Sequence, residues 1–353
     1  MKKRVSIKDI ATLAGVSIGT VDRVLHNRGE VNAETHNRIM QIINELGYTP
    51  NLQAKALSMK KSLRFAVIIP DSQDNNPYWQ KPMDGINLAI AELSNYNTNF
   101  NIFHFDASSE QSFINVLASV PANEFDGVLL CPVFKQAALQ FIQTLNTQQI
   151  PFVFIDVNIN NAGNIGYFGQ DAFQSGVIAA RLMQKDIHTS RNVLIVKQSN
   201  HKIFSNHIEQ RVAGFRNSIG NDYRITELEI DLSDPQEPNA SLGQALKQQQ
   251  FNGIFIPNTR AFRFADFASA QGLKNICVIG YDLIDENIDH LKKGNISYLL
   301  NQRPDEQSYK AIMLLFNYLL GQKEIKQIDN YSPIDIIIKE NVDYYSHANW
   351  TNK

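Results

Sequence analysis

The sequence predicts two unlike parts: a small all-α helix-turn-helix headpiece, then a larger α/β body of two doubly wound lobes. Three observations carry this. The stretch "LAGVSIGTVDRVL", Leu13–Leu25, joins two short apolar-periodic runs through Ala-Gly-Val and a serine. From Leu63 onward, short β-rich apolar runs alternate with segments of helical periodicity. Charge is also split: residues 1–61 hold ten Lys or Arg against five Asp or Glu, and the rest holds 23 against 30. A basic head on an acidic body suits an N-terminus that meets a polyanion.

The headpiece reads as three helices. Ser6 followed by Asp9 has the S-x-x-D form of a capping box and opens a helix to about Leu13, with Ile10, Ala11 and Ala14 inward. Gly15 allows the tight turn, and Ser17 caps a second helix whose Val21, Val24 and Leu25 share a face. A third runs from Asn32 to Leu46 with Ile39, Ile42, Ile43 and Leu46 as its stripe, and Gly47 ends it. This turn chemistry and the positive charge point to DNA. After it, Pro50 and Asn51 introduce a short helical stretch containing Ala54, Ala56 and Leu57, too short to be stable without support.

The body reads as some ten strands, among them "LRFAVIIP", "NFNIFHF", "GVLLCPV", "PFVFIDV", "NVLIVKQ", "ITELEIDL", "GIFIP", "NICVIGYD" and "ISYLL". Strands alternating with helices mean parallel sheets covered on both faces, and their number favours two lobes over one sheet. Ligands of such lobes bind at the carboxyl ends of strands. The two cysteines, Cys131 and Cys277, lie in apolar runs and read as buried thiols, with neither metal nor disulfide spacing. At 353 residues, 43% hydrophobic and 19% charged, the chain has core for two or three domains. No signal-like apolar stretch opens it and no run reaches the ~18 residues of a membrane span. A cytoplasmic location and no membrane partner are expected.

Catalytic motifs are absent from the strand ends: no GxGxxG after the first strand, no GxxxxGK[ST], no GxSxG, no HExxH. His201 and His207, six apart, match no common metal pair. No catalytic residue, metal or cofactor is expected. What gathers there instead is a hydrogen-bonding and aromatic set. "DNNPYW" supplies Asn76, Tyr78 and Trp79, and "FIDVN" and "GQD" supply Asp156 and Asp171. Arg211, Asn258, Asp282 and Gln302 follow in "EQRVAGF", "IPNTRAF", "IGYD" and "NQRPDEQ". Carboxylates, amides and a guanidinium satisfy hydroxyls, and aromatic rings cover C–H faces, as a sugar requires.

"IKDIATLAGVSIGTVDRVL" and "RIMQIINELGYTPNLQAKALSMKKS" closely resemble the headpiece and hinge of the LacI–GalR (lactose repressor/galactose repressor) family, over residues 6–62. The resemblance implies a homodimer whose second helices enter the major groove of a near-palindromic operator. It places Ser6, Ser17, Ile18, Gly19, Thr20 and Arg23 at the DNA, with Arg23 as the best base reader. It further implies hinge contacts by Asn51, Ala54, Lys55 and Leu57, the leucine wedging into the central base step, and Lys60 and Lys61 facing phosphate. Asp22 and His36 depart from the family pattern.

Residues 63–322 resemble the ribose-type periplasmic sugar-binding proteins. This implies that Tyr78 and Trp79 stack on a sugar, and that Asp156, Arg211, Asn258, Asp282 and Gln302 hold its hydroxyls. Val157 stands where ribose binders carry arginine, which argues against ribose. Lys197, His201 and Lys202 are expected near the cleft, so a sugar acid or sugar phosphate stays open beside a neutral sugar. The expected domains are 1–49, a helix-turn-helix unit; 50–62, a hinge; and 63–345, a two-lobed periplasmic-binding-protein-like ligand-binding and dimerisation domain. The implied function is ligand-responsive transcription regulation of carbohydrate use; an exported binding protein or an α/β enzyme would explain the headpiece less well.

Overall fold

A computed structural model describes residues 5–25, 29–46, 48, 61–72, 77–188, 190–198, 206–230, 237–322, 325 and 327–346. The chain divides into two compact units, Met1–Ser58 and Met59–Lys353. The expected hinge helix falls on residues 50–60, outside the described set, as do Asn76, His201 and Lys202.

In the first unit, α1 (Ile7–Ala14), α2 (Ile18–Leu25) and α3 (Ala33–Leu46) close one small core. Ile10, Ala14, Val21, Val24, Ile39 and Ile43 fill it. The capping box forms: Asp9 N–H donates to Ser6 Oγ at 3.2 Å, and Ser6 N–H donates to Asp9 Oδ2 at 2.8 Å. Gly15 ends α1 in the left-handed region, at φ 64, where a side chain would be strained. Asn32 caps α3, its Oδ1 accepting from Thr35 N–H at 3.0 Å. One expectation fails: Leu46 is 38% exposed and takes no part in the core that Ile39 and Ile43 enter.

The second unit holds two six-stranded sheets. The first lobe contains β1 (Leu63–Pro70), β2 (Thr98–Phe105), β3 (Gly127–Leu130), β4 (Phe152–Ile155) and β5 (Gly166–Gly169), with helices α4 (Gln80–Leu93), α5 (Glu110–Ser119) and α6 (Lys135–Thr147). The second contains β6 (Asn192–Gln198), β7 (Arg224–Ile230), β8 (Gly253–Phe255), β9 (Cys277–Tyr281) and β10 (Tyr298–Asn301). Its helices are α7 (Ala172–Asp186), α8 (Asn206–Ser218), α9 (Glu237–Gln248), α10 (Ala261–Ala270) and α11 (Asp285–Lys293). The chain then returns through α12 (Pro304–Leu319) and β11 (Asp329–Tyr331) of the first lobe to β12 (Asp335–Ile337) and α13 (Val342–Ser346) of the second.

The orders β2-β1-β3-β4-β5-β11 and β7-β6-β8-β9-β10-β12 are the same winding twice, parallel except for β10 against β12. Central strands β3, β4, β8 and β9 are buried on both faces, which is why they read as unbroken apolar runs. Edge strands β2 and β7 are partly exposed. Both cysteines are free and buried, as expected. The sequence reading missed β5, β11 and β12. Four residues bounded by glycine, and two three-residue segments at sheet edges, carry too little periodicity.

Helices α7 and α8 touch backbone to backbone. A Cβ on Gly176 would strike the Arg211 carbonyl, and one on Gly214 would strike the Phe173 carbonyl. Two glycines thus set where Arg211 stands.

Candidate functional site

The polar cleft of the body lies at the carboxyl ends of strands from both lobes, where a switch in winding order opens a crevice. Tyr78 and Trp79 follow β1 in a single 3-10 turn and meet edge to face, their centroids 4.9 Å apart. Asp156 follows β4 and Asp282 follows β9, both in the left-handed region, at φ 64 and 69. Outside glycine that region is sparse, and Asp and Asn are its usual occupants. Arg211 enters from α8, Asn258 follows β8, and Gln302 lies where β10 crosses to α12. These residues line a chamber of about 130 Å³.

A hydrogen-bonded chain organises the second lobe's side. Arg211 Nη2 donates to Gln302 Oε1 at 2.6 Å, and Gln302 Nε2 donates to Asp282 Oδ1 at 2.7 Å. Thr259 Oγ1 donates to the other carboxylate oxygen at 2.6 Å. The Arg211 guanidinium also donates to the Pro257 carbonyl at 3.0 Å and lies 3.8 Å over the Tyr281 ring. On the first lobe's side, Tyr78 Oη donates to Asp156 Oδ1 at 2.6 Å. Burial pushes both carboxyls above the usual range, and the Arg211 charge and these hydrogen bonds only partly oppose it. Among the described residues, four buried nitrogens in the chamber have no partner: Trp79 Nε1, Arg211 Nε, Asn258 Nδ2 and His207 Nδ1. Buried polar atoms are normally satisfied, so such a concentration asks for a ligand.

The structure brings together Tyr78, Trp79, Asp156, Arg211, Asn258, Asp282 and Gln302. Asp171 is elsewhere: it caps α7, accepting from Gln174 N–H at 2.9 Å, and lines a second chamber of about 240 Å³. The chambers adjoin at Asp156, Val157 and His207. Lys197 does not line the cleft. It sits beside β7, its Nζ within 3.5 Å of Glu209, Glu227 and Glu229, because β6 and β7 pair Lys197 with Glu229. Sequence reasoning passed over Thr259, Gln198 and His207, which also line the first chamber. His207 precedes Arg211 by four residues on α8, so their shared helix face was the available signal. Burial, then the Arg211 charge, lowers the His207 pKa to about 3, leaving the imidazole neutral.

On the headpiece, Ser17, Ile18, Gly19 and Arg23 face solvent, Ile18 at 52% exposure, a large aliphatic left outside the core. Ser17 Oγ caps α2 by accepting from Thr20 N–H at 3.1 Å, and Thr20 is half-buried. Arg23 lies along the helix, donating to the Gly19 carbonyl at 3.2 Å and Thr20 Oγ1 at 3.4 Å. Ser6 spends its hydroxyl on Asp9. Asn51, Ala54, Lys55, Leu57 and Lys60 lie outside the described residues. Lys61, expected at phosphate, instead pairs with Asp126 at 2.7 Å. Among the described residues, no helix is long and apolar enough to cross a membrane and no metal-holding cluster occurs.

A helix-turn-helix headpiece on a two-lobed α/β body with a polar cleft defines the class, a lacI-type headpiece joined to a periplasmic-binding-protein-like domain. Residues 65–323 match the family described as periplasmic binding protein domain, and residues 6–51 match bacterial regulatory proteins, lacI family. The chain belongs to the periplasmic binding protein domain family, and its first residues carry a lacI-type domain. It is 29% identical over 153 residues to the HTH-type transcriptional regulator DegA of Bacillus subtilis (strain 168), covering 43% of this chain and 44% of that protein. The alignment thus spans less than half of that relative. It is 25% identical to the sucrose operon repressor of Pediococcus pentosaceus over 283 residues, 78% of this chain and 81% of that one. A crystal structure from Bacteroides fragilis, described as a LacI transcriptional regulator, superposes with TM-score 0.74 at 29% identity, covering 81% of this chain and 100% of that one. The two relatives of known name are a transcriptional regulator and an operon repressor.

Proposed function

We propose that this chain is a transcriptional regulator of carbohydrate-utilisation genes, binding a near-palindromic operator as a homodimer in the cytoplasm and responding to a neutral sugar. The observation that carries the reading is the occupancy-seeking cleft on the same chain as a DNA-type headpiece. Two carboxylates, one from each lobe, face the Arg211 guanidinium, Arg260 lines the same chamber, and four nitrogens wait for partners. Hydroxyls that both donate and accept suit this set. A neutral sugar suits it better than an anionic one, because Asp156 and Asp282 already balance Arg211 and Arg260, His207 is neutral and Lys197 is committed to glutamates. The name of the sucrose operon repressor supports the carbohydrate assignment.

A sugar held from both lobes favours whichever lobe arrangement it binds more tightly, and reversing a two-state population takes ~5.5 kcal/mol of such preference. Buried charge-assisted hydrogen bonds at ~1.5–3 kcal/mol each supply it. The test uses the full chain. Duplexes selected from genomic DNA are titrated by fluorescence anisotropy, with and without sugars that stabilise the protein. A selected palindrome whose affinity changes with a neutral sugar is expected. Arg23→Ala should lose ~1–3 kcal/mol on that duplex. Equal affinity for selected and scrambled duplexes would sink the regulator reading.

A further inference from the structure

The second chamber lies beside the first, is nearly twice as large, and sets amides and tyrosines beside one lysine, Lys135, and two acids, Asp156 and Asp171, whose charges oppose. Gln170 is 6% exposed, and while its Nε2 donates to the Asn301 carbonyl at 3.1 Å, its Oε1 is buried without a partner. Tyr331, on the edge strand β11, is 51% exposed and meets Tyr167 edge to face at 6.1 Å, so its ring stands open at the chamber wall. Asn160 and Gln210 bring two exposed amides to the rim, one from each lobe. Among the described residues, Asp156, Val157 and His207 are shared by both chambers, and the His207 Nδ1 has no partner there. Val157, which lines both, is small and apolar. Taken singly, the first chamber at about 130 Å³ is below the ~300–1,000 Å³ usual for small-molecule sites. With the second, at about 240 Å³, the cleft enters that range.

We infer that the ligand is a neutral two-ring glycoside: one ring lies against Tyr78, Trp79 and Asp282, the glycosidic link passes Val157 and His207, and the second ring rests on Tyr331 and bonds to Gln170. This rests on the sugar reading above and deepens it. The open tyrosine face suits a ring's C–H surface, and the amides suit its hydroxyls. Neither demands charge.

The experiment is calorimetry and thermal shift on the full chain, with glucose, galactose and fructose set against maltose, cellobiose, lactose and sucrose. At least one disaccharide should bind, and more tightly than either of its component sugars. Tyr331→Ala, at an exposed edge position that tolerates truncation, should weaken that disaccharide about 10-fold. Gln210→Trp, which fills the chamber from a helix surface, should do the same. Both variants should leave the component monosaccharides within about twofold. A monosaccharide bound as tightly as every disaccharide containing it, with both variants silent, would overturn the second subsite and leave the sugar reading standing. Binding of no neutral sugar of either size would overturn both.

Discussion

Asp156 and Asp282 hold the same place in the two lobes. Each directly follows the fourth strand of its lobe in a left-handed conformation, and each donates its N–H to a carbonyl of the fifth strand at 3.1 Å, Phe168 for one and Leu300 for the other. The repeated winding therefore aims one carboxylate at the cleft from each side. The difference between them is in their company: Asp156 receives Tyr78, whereas Asp282 receives Thr259 and Gln302.

Asp282→Asn should fold and lose the response to sugar. An amide keeps acceptance from Gln302 and can donate to the Thr259 hydroxyl, so the local network survives. The sign of the stability change follows from burial, which raises the carboxyl above its usual 3.8. The charged form is penalised in the fold, so wild type loses stability as pH rises from below 3.8 through the raised pKa, and the amide does not. Urea melts across pH should show the variant's relative stability absent at the acid end and growing toward neutrality.

His207 should make the sugar-free protein acid-sensitive. Its folded pKa of about 3 lies under the ordinary 6.5, so the unfolded chain gains a proton first as pH falls. Stability present above pH 6.5 is then lost toward about 3, with a slope of up to ~1.4 kcal/mol per pH unit. His207→Gln should flatten the measured slope in that window. An unchanged slope would remove His207 as its cause.

Gly176→Ala should cost ~1–3 kcal/mol and weaken sugar binding together, because the added methyl meets the Arg211 carbonyl and pushes α8 outward. Chemical denaturation and calorimetry on the same variant test both. A loss of stability with unaltered affinity would show that Arg211 is not positioned through this contact.

Ser6→Ala and Arg23→Ala should separate folding from recognition in the headpiece. The serine hydroxyl is consumed by Asp9, so its loss should cost ~1 kcal/mol of headpiece stability and leave operator preference intact. Among the described residues the Arg23 hydrogen bonds stay within its own helix, so its loss should spare the melting curve and lower operator affinity. Protease-protection of the headpiece and anisotropy on the selected duplex distinguish them.

The strands that build the two lobes were legible because the central ones are apolar on both faces, as "LRFAVIIP" and "NICVIGYD" show. Asp156 and Asp282 were legible for the same reason: a carboxylate ending such a run has a known address. Position along the chain does not reveal register, however. Lys197 read as a cleft cation, but the pairing of β6 with β7 sets it against Glu229. Asp171 read as a cleft acid, but its place at the start of α7 spends one oxygen on the helix and turns it to the neighbouring chamber. His207 was noticed only as half of an unconvincing metal pair; the telling neighbour was the arginine one turn later, whose charge opposes protonation of the imidazole.

The chain passes between lobes at residues 170–171, 302–303 and 332–334, and side chains tie these passages side by side. Gln170 bonds to Asn301, and Arg303 grips Asp335 through two nitrogens at 2.7 Å each. Three cords fastened in a row resist stretching, sliding and twisting, and leave swinging about the row as the softest freedom. One of the cords carries Gln302, whose side chain is already part of the cleft. Whatever molecule fills that cleft, the motion it can produce is therefore the same one. Mutation can rewrite the vocabulary of the binding site while the grammar that reports occupancy stays as it is.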